Sequence, residues 1–437
     1  MPIYNCHIHI FSKNCVPERF LDVALPEWMD FAASPIKGFL ETRFGRWITG
    51  GLARNRAKGG FLKTAARYSS FVSIGTMSDQ RDVFRLVLEK NGYPSDTRFV
   101  VLTLNMDEMG AGTSELVYKG QLQKVAELRK QYPNQCLPFL SVDPRSGTET
   151  LHELLDLYIG TGVDAQGPYF KAFVGLKLYP ALGYFPFDKR LEECYQTAQA
   201  LGLPLMTHCT RSGSYYVGKR TVTITQPTPI TYQNNGVENR PDYNSEFFVP
   251  IQGDDLAASC VFGKPSAWRF VLENYPELKL CFAHMGGGSE VFHVNARDFS
   301  KDPGWFGQVL YMMGRYQNVY TDISYTLSYK KDRDPDAFFR LVASLLEGDF
   351  DSTYPNELLT QDPFTGAPVD VSTLPYWNTV PKRVLFGTDF FMTEQEARES
   401  SLSHEFSDWL RNQNKTDLWD QLSETNPVTY LTSKVWG

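Results

Sequence analysis

Long hydrophobic runs are missing from this chain. No stretch approaches the ~20 apolar residues that a bilayer-spanning helix needs, so no membrane association is expected. Histidine is scarce, with 7 among 437 residues. Cysteine is as sparse, and its 7 copies are odd in number and scattered, which does not describe a disulfide framework. Positive charge is not in excess: the net charge of -7 argues against a nucleic-acid-binding surface covering the molecule. The N-terminus passes from Met1-Pro2 directly into a strand-like stretch, without the basic region, apolar core and cleavage site of a secretory signal. These absences together predict a cytoplasmic protein whose partner is a small molecule.

What is present begins at that first stretch, Ile3-Tyr4-Asn5-Cys6-His7-Ile8-His9-Ile10. It alternates and is rich in β-formers. On a strand, residues two apart share a face, so His7 and His9 point the same way and Ile8 and Ile10 the other. Two imidazoles side by side at a strand end can hold a transition-metal ion. The plainer alternative, two ordinary histidines near a terminus, sits poorly with so few histidines in the chain.

Hydrophobic content of 42% and charge of 21% are those of an ordinary globular protein. Strand and helix patterns alternate along most of it. Strands are expected at 3–10, 98–104, 136–142, 173–179, 203–207, 278–283, 318–323 and 383–389. Helices are expected at 79–91, 119–131, 148–160, 191–201, 266–275, about 306–316 and 335–346. Eight such units predict an α/β fold, a closed (β/α)8 TIM barrel forming a single domain over 1–437. The doubly wound alternative lacks a Gly-rich dinucleotide turn after the first strand.

Long insertions follow strands 1 and 5 and precede strand 8, at about 10–75, 210–263 and 351–381. They read as a lid and cap around the active site. The first carries a basic run, Arg43 to Arg67, which is either a solvated helical face or a lid drawing in an anionic substrate. Within the second, Thr221-Val222-Thr223-Ile224-Thr225 suggests a small strand or hairpin. Aromatics, 14% of the chain, are abundant in these insertions and compatible with a homo-oligomer.

Catalytic side chains of a barrel sit at the C-terminal ends of its strands. The polar residues there are His7, His9, Lys177, His208, His284, Asp322 and Asp389. Strand parity groups Lys177 with Gly175 and Tyr179, Asp389 with Leu385 and Gly387, and His284 with Leu280 and Phe282, each set compatible with facing inward. Arg211 either meets a substrate carboxylate or stays in solvent, and Asp322 either positions a ligand or makes a structural hydrogen bond. His152, His293 and His404 fall on helical patterns and read as surface or core residues. Cys6 has the wrong parity for the site. Gly286-Gly287-Gly288 is either an anion cradle or a tight turn.

His7-Ile8-His9, Leu205-Met206-Thr207-His208, Phe282-Ala283-His284-Met285-Gly286-Gly287 and Leu385-Phe386-Gly387-Thr388-Asp389 resemble the motifs of the amidohydrolase superfamily. The resemblance is to its amidohydrolase-related branch of metal-dependent hydrolases and decarboxylases, and includes Gly175-Leu176-Lys177-Leu178-Tyr179-Pro180 on the fourth strand. It runs from residue 1 to about 390. It implies metal ligation by His7, His9, His208 and Asp389, with His284 as a second-metal ligand or a group polarising substrate and water. Lys177 corresponds to a lysine that is carboxylated and bridges two metals in binuclear members. The reading adopted has one divalent metal, zinc or alternatively manganese, with Lys177 unmodified beside it. Asp389 then takes the proton of a metal-activated water as it attacks an amide, lactone or ester-like carbonyl. Decarboxylation of an aromatic or unsaturated acid is the alternative chemistry, and a catalytically silent binding protein the alternative class.

Overall fold

The computed structural model describes residues 2–20, 73–74, 77–90, 92–161, 167–292, 304–327, 336–349, 362–395 and 401–436. The basic run Arg43 to Arg67, His293, most of the first insertion and residues 351–361 of the third lie outside the described residues.

Eight strands pair side by side, every pair parallel: β1 (Tyr4–Ile8), β2 (Arg98–Leu102), β3 (Cys136–Ser141), β4 (Gly175–Leu178), β5 (Pro204–Thr207), then β8 (Lys279–Phe282), β9 (Val319–Asp322) and β10 (Val384–Leu385). Between β5 and β8 the second insertion holds a separate antiparallel hairpin, β6 (Tyr232–Asn234) with β7 (Val237–Asn239). The main sheet closes on itself. Cys6 N–H donates to Phe386 O at 2.8 Å, Asp389 N–H to His7 O at 2.8 Å, and Ile8 bridges to Phe390. Strands such as Phe99-Val100-Val101-Leu102 are apolar on both faces, as they must be with a packed interior on one side and helices on the other.

The helices follow in turn: α1 (Gln80–Lys90), α2 (Tyr118–Gln131), α3 (Thr148–Leu154), α4 (Glu192–Leu201), α5 (Asp255–Phe262), α6 (Gly304–Arg315), α7 (Ala337–Glu347), α8 (Leu402–Asn412) and α9 (Asn426–Leu431). This is the expected (β/α)8 barrel. Among the described residues, no helix is long and apolar enough to cross a membrane.

Two buried apolar clusters show which face is which. One takes Tyr4, Cys6, Val100, Leu102, Leu137, Phe139, Met206, Cys281, Tyr320 and Leu385 and fills the barrel. The other takes the alternate positions, including Leu205, Leu280, Phe282, Val384 and Phe386, and packs under the helices. Tyr430 and Leu431 of α9 join the interior cluster, so α9 stops the N-terminal mouth. The Tyr430 hydroxyl donates to Leu205 O at 2.9 Å, while Lys279 Nζ reaches the carbonyls of Thr429, Tyr430 and Thr432.

Local expectations fail in four places. Thr221–Thr225 is not a strand: Val222–Thr225 forms one helical turn, because β-branched residues favour a strand only where a partner edge exists. The hairpin of this insertion lies ten residues on, at Asn235-Gly236, whose φ values of 51° and 76° suit the tight turn that Asn-Gly specifies. The helix expected over 148–160 gives way to a π-helical turn at Leu155–Ile159, and that over 266–275 begins as a 3-10 turn at Pro265–Trp268. The eighth strand pairs with β9 only over Val384–Leu385, because its continuation turns to hydrogen-bond β1 instead.

Candidate metal centre

The histidines of β1 owe their position to a bulge. Tyr4 and Asn5 pair with Arg98 and Phe99, but Ile8 pairs with Val101, so β1 spends one more residue than β2 over this span. Strict alternation from Tyr4, which lines the interior, would keep Cys6 inside and turn His7 outward beneath the helices. The bulge lets Cys6 fill the barrel while His7 and His9 both reach the C-terminal mouth. Opposite them, Gly387 is required: a Cβ there would stand 2.8 Å from His7 Cβ.

Three donor atoms face one another across this mouth. His7 Nε2 and His9 Nε2 are 3.4 Å apart, and Asp389 Oδ1 lies 3.4 Å from the first and 3.3 Å from the second. His284, with His7 and Asp389, forms a group whose ligand atoms all lie within 4.8 Å of one another. All four side chains are buried.

The other ring nitrogens fix the tautomers. His7 Nδ1 lies 2.8 Å from Asp322 Oδ2, His9 Nδ1 lies 3.1 Å from Leu102 O, and His284 Nδ1 lies 2.9 Å from Ser324 O. Each of these partners accepts, so each Nδ1 carries the proton and each Nε2 presents a lone pair. Burial holds all three imidazoles neutral, pushing His284 down to about 3 and His7 and His9 below the ordinary histidine value.

Lone pairs of His7 and His9 therefore oppose the Asp389 carboxylate with no proton of the rings between them. Asp389 Oδ1 has no hydrogen-bond partner. Such a cluster repels itself unless a cation or a proton lies at its centre. Ligands about 2.0–2.1 Å from a tetrahedral ion stand about 3.3 Å from one another, which is the spacing found. The donor set fits a divalent transition metal.

Lys177 enters from β4, wholly buried, and its Nζ is also unpaired among the described residues. Burial lowers it to about 8, against the pull of Asp322 and Asp389. Burial raises Asp389 well above the carboxylate range, with Lys177 opposing. Burial would raise Asp322 as well, but its electrostatic and hydrogen-bond contacts with His7, together with the His284 backbone N–H, hold it low. Asp322, expected to position a ligand or substrate or to make a structural hydrogen bond, has both oxygens engaged by protein: His284 N–H and Ser324 N–H donate to Oδ1 at 2.9 and 3.0 Å, with His7 on Oδ2. It is wholly buried and braces the ligands from below.

His208 stands apart from the triangle. Its ring centre is 5.1 Å from that of His284, its face stacks on Tyr179 at 3.8 Å, and Nε2 lies 3.1 Å from Ser212 O. Arg211 follows at the rim, tied to Glu290. The thiols of Cys6, Cys209 and Cys281 are buried, which raises them and keeps them protonated.

His284 does not share an inward face with Leu280 and Phe282, contrary to what strand alternation predicts. Its strand-mates Leu280 and Phe282 face the helices, while Cys281 lines the interior. His284 points inward because the strand has ended and the backbone turns left-handed, with φ 66° there and 52° at Met285. Asp389 is left-handed too, at φ 60°. Such conformations cost about 1–3 kcal/mol each and gather at functional sites. The glycines beyond His284 form a tight turn: a Cβ on Gly286 would meet Phe306 N at 2.7 Å, and one on Gly287 would meet Thr210 Oγ1 at 2.6 Å.

Sequence reasoning passed over Ser324. Its hydroxyl lies 3.0 Å from His7 Nδ1 and 2.9 Å from His284 Nδ1 and also donates to Asp322. It stands two residues past Asp322, beyond the end of β9, where alternation no longer applies. Asn5 was missed too; its Nδ2 donates to Thr388 Oγ1 at 2.8 Å and its Oδ1 accepts from Thr388 N–H at 3.2 Å, fixing the residue before Asp389.

A family model described as amidohydrolase matches residues 79–407. No curated protein matches the chain. Among solved structures, 5-carboxyvanillate decarboxylase of Novosphingobium aromaticivorans, complexed with manganese and 4-hydroxy-3-methoxy-5-nitrobenzoic acid, is 11% identical with a TM-score of 0.47, covering 98% of this chain and 96% of that one. A probable 2-pyrone-4,6-dicarboxylic acid hydrolase of Acinetobacter baumannii, with citric acid bound, is 11% identical with a TM-score of 0.41, covering 99% of each. A 2,6-dihydroxybenzoate decarboxylase from Rhizobium is 12% identical with a TM-score of 0.40, covering 99% of this chain and 98% of that one.

Proposed function

The chain belongs to the amidohydrolase family, and from that premise we propose that it is a metal-dependent hydrolase cleaving an amide, lactone or ester-like carbonyl of a small acidic substrate. One observation carries this reading: the partnerless Asp389 Oδ1 faces two imidazole lone pairs at 3.3 and 3.4 Å. His7 Nε2, His9 Nε2 and Asp389 would hold one divalent ion, with His284 within reach and His208 the further candidate. Imidazole with carboxylate favours zinc, and manganese is the alternative.

Such an ion supplies Lewis-acid polarisation of a substrate oxygen and acidifies a water to a pKa of about 7. The chain's own groups supply the rest. Asp389 takes a proton from the attacking water and returns it to the leaving oxygen or nitrogen as the carbonyl-to-heteroatom bond breaks. His284 Nε2 presents a lone pair that orients the water's hydrogen. Asp322 keeps His7 in its ligating tautomer and offsets positive charge on the ring. Lys177 stabilises the Asp389 carboxylate from within the barrel.

Elemental analysis of the pure protein tests the reading. We expect close to one zinc or manganese per chain, lost in His7→Ala and His9→Ala. In Asp389→Asn, turnover should fall at least about a hundredfold, the scale of a lost acid–base group. Protein that holds no transition metal and gains no thermal stability from added zinc or manganese removes the basis of the proposal. The second reading, non-oxidative decarboxylation, is favoured by the cationic Arg211 at the mouth, since that reaction requires an acid substrate. Carbon dioxide release without incorporation of solvent oxygen selects it.

A further inference from the structure

Three residues beyond His208, between the ends of β5 and β8, Arg211 is held in a way that a solvent-facing arginine is not. Its Nε donates to Glu290 Oε1 at 2.9 Å, and Glu290 is almost wholly buried. The other oxygen, Oε2, accepts the Trp305 backbone N–H at 2.9 Å, at the first turn of α6. The guanidinium carbon sits 4.9 Å from the Trp305 ring centre, so one face of the group rests on an aromatic plane. Trp305 is buried, which gives the group a firm floor.

One edge and one face of the guanidinium are thus occupied. The edge formed by Nη1 and Nη2 makes no hydrogen bond among the described residues, and the side chain is 38% exposed. A planar fork held by a buried carboxylate and an indole is already oriented, so it loses little freedom when it binds. Its natural ligand is a carboxylate, whose two oxygens match the two terminal nitrogens.

We infer that Arg211 is a substrate-binding residue whose Nη1–Nη2 edge receives a carboxylate of the substrate, and that Glu290 is the positioning residue that aims it. The substrate class is then a small carboxylic acid whose reacting carbon lies toward His7 and Asp389 and whose carboxylate lies at the rim. This inference rests on reading the buried triangle as an active centre.

Calorimetric titration of the metal-replete protein with benzoate, fumarate, benzamide and inorganic phosphate tests it, with metal content read on the same samples. Wild type should bind at least one of the two acids and prefer it over both benzamide and phosphate. Arg211→Gln should weaken that binding about tenfold or more, the scale of a charge-assisted bidentate contact, while keeping its metal. Arg211→Lys should recover part of the loss, and Glu290→Gln should weaken binding several-fold with the arginine still present. Unchanged affinity in both Arg211 variants overturns the inference, as does wild type that binds neither acid or binds benzamide or phosphate as tightly. Arg211-dependent binding by protein that holds no metal would retire the hydrolase reading and leave this one standing. Metal-bearing protein whose acid binding ignores Arg211 does the reverse.

Discussion

Each of the three imidazoles His7, His9 and His284 has one nitrogen committed to a fixed acceptor, and that commitment decides what the other nitrogen can do. For His7 the acceptor is Asp322, for His9 the Leu102 carbonyl and for His284 the Ser324 carbonyl. Only the first is a side chain that mutation can alter without moving backbone. Asp322→Asn keeps the shape but removes the charge and lets an amide N–H confront Nδ1. Metal affinity should fall about 10–100-fold, as for other lost partners of metal-bound histidines, read by competition with a chromogenic chelator. The structural alternative, that Asp322 serves only stability, predicts a lower melting temperature with unchanged metal affinity. The same neutral rings set a pH dependence in metal-free protein. His284 titrates near 3 when folded and about 6.5 when unfolded, so between those values the unfolded chain binds more protons. Stability therefore falls as pH drops below about 6.5, by up to about 1.4 kcal/mol per pH unit for this residue. His7, His9 and His208, also lowered by burial, add in the same direction. Urea midpoints measured across pH 4 to 7 without metal should decline towards acid. Saturating zinc should raise the whole curve without flattening it, because the rings are already neutral in the metal-free fold.

Among the elements, the strands were legible and their ends were not. Buried parallel strands declare themselves as apolar runs such as Phe99-Val100-Val101-Leu102, because both faces are dry. Where a strand stops, parity stops with it, and neither the bulge in β1 nor the left-handed turn at His284 leaves a mark in hydrophobic pattern. That is why His7 and His9 could be read as a pair, while His284 reached the site by a different route from the one alternation suggested. The Asn235-Gly236 hairpin left a clear mark and was passed over in favour of β-branched residues at 221–225. The stopper at the N-terminal mouth was invisible for another reason: nothing in the sequence around Tyr430 says which cavity it fills. Tyr430 contacts the rings of Phe139 and Tyr320 at 6.4 and 4.9 Å between centres. Tyr430→Ala should destabilise the protein by about 3–5 kcal/mol, as for other large buried aromatics. Tyr430→Phe, which loses the bond to Leu205 O alone, should cost about 1 kcal/mol. Equilibrium unfolding of both variants checks the ratio. Equal losses would mean that packing is not what α9 contributes.

For the molecule as a whole, the site was readable because its parts lie at strand ends that only a closed barrel brings together. The bracing residues were less so, since Ser324 and Asn5 carry no motif and act only through geometry. The insertions were least legible, because their fold follows from few local rules. Closure has a further consequence, in time. Among the described residues, one edge of β1 is satisfied only by residues near 386 to 390, although β1 itself ends at Ile8. At about 5–20 residues per second, a ribosome takes roughly 20–80 s to make the intervening chain. Throughout that interval the newborn strand bearing His7 and His9 has a bare edge, with its Asp389 partner not yet made. Newly synthesised chains are therefore expected to lean on holding chaperones, and the triangle of His7, His9 and Asp389 is complete only near the end of synthesis.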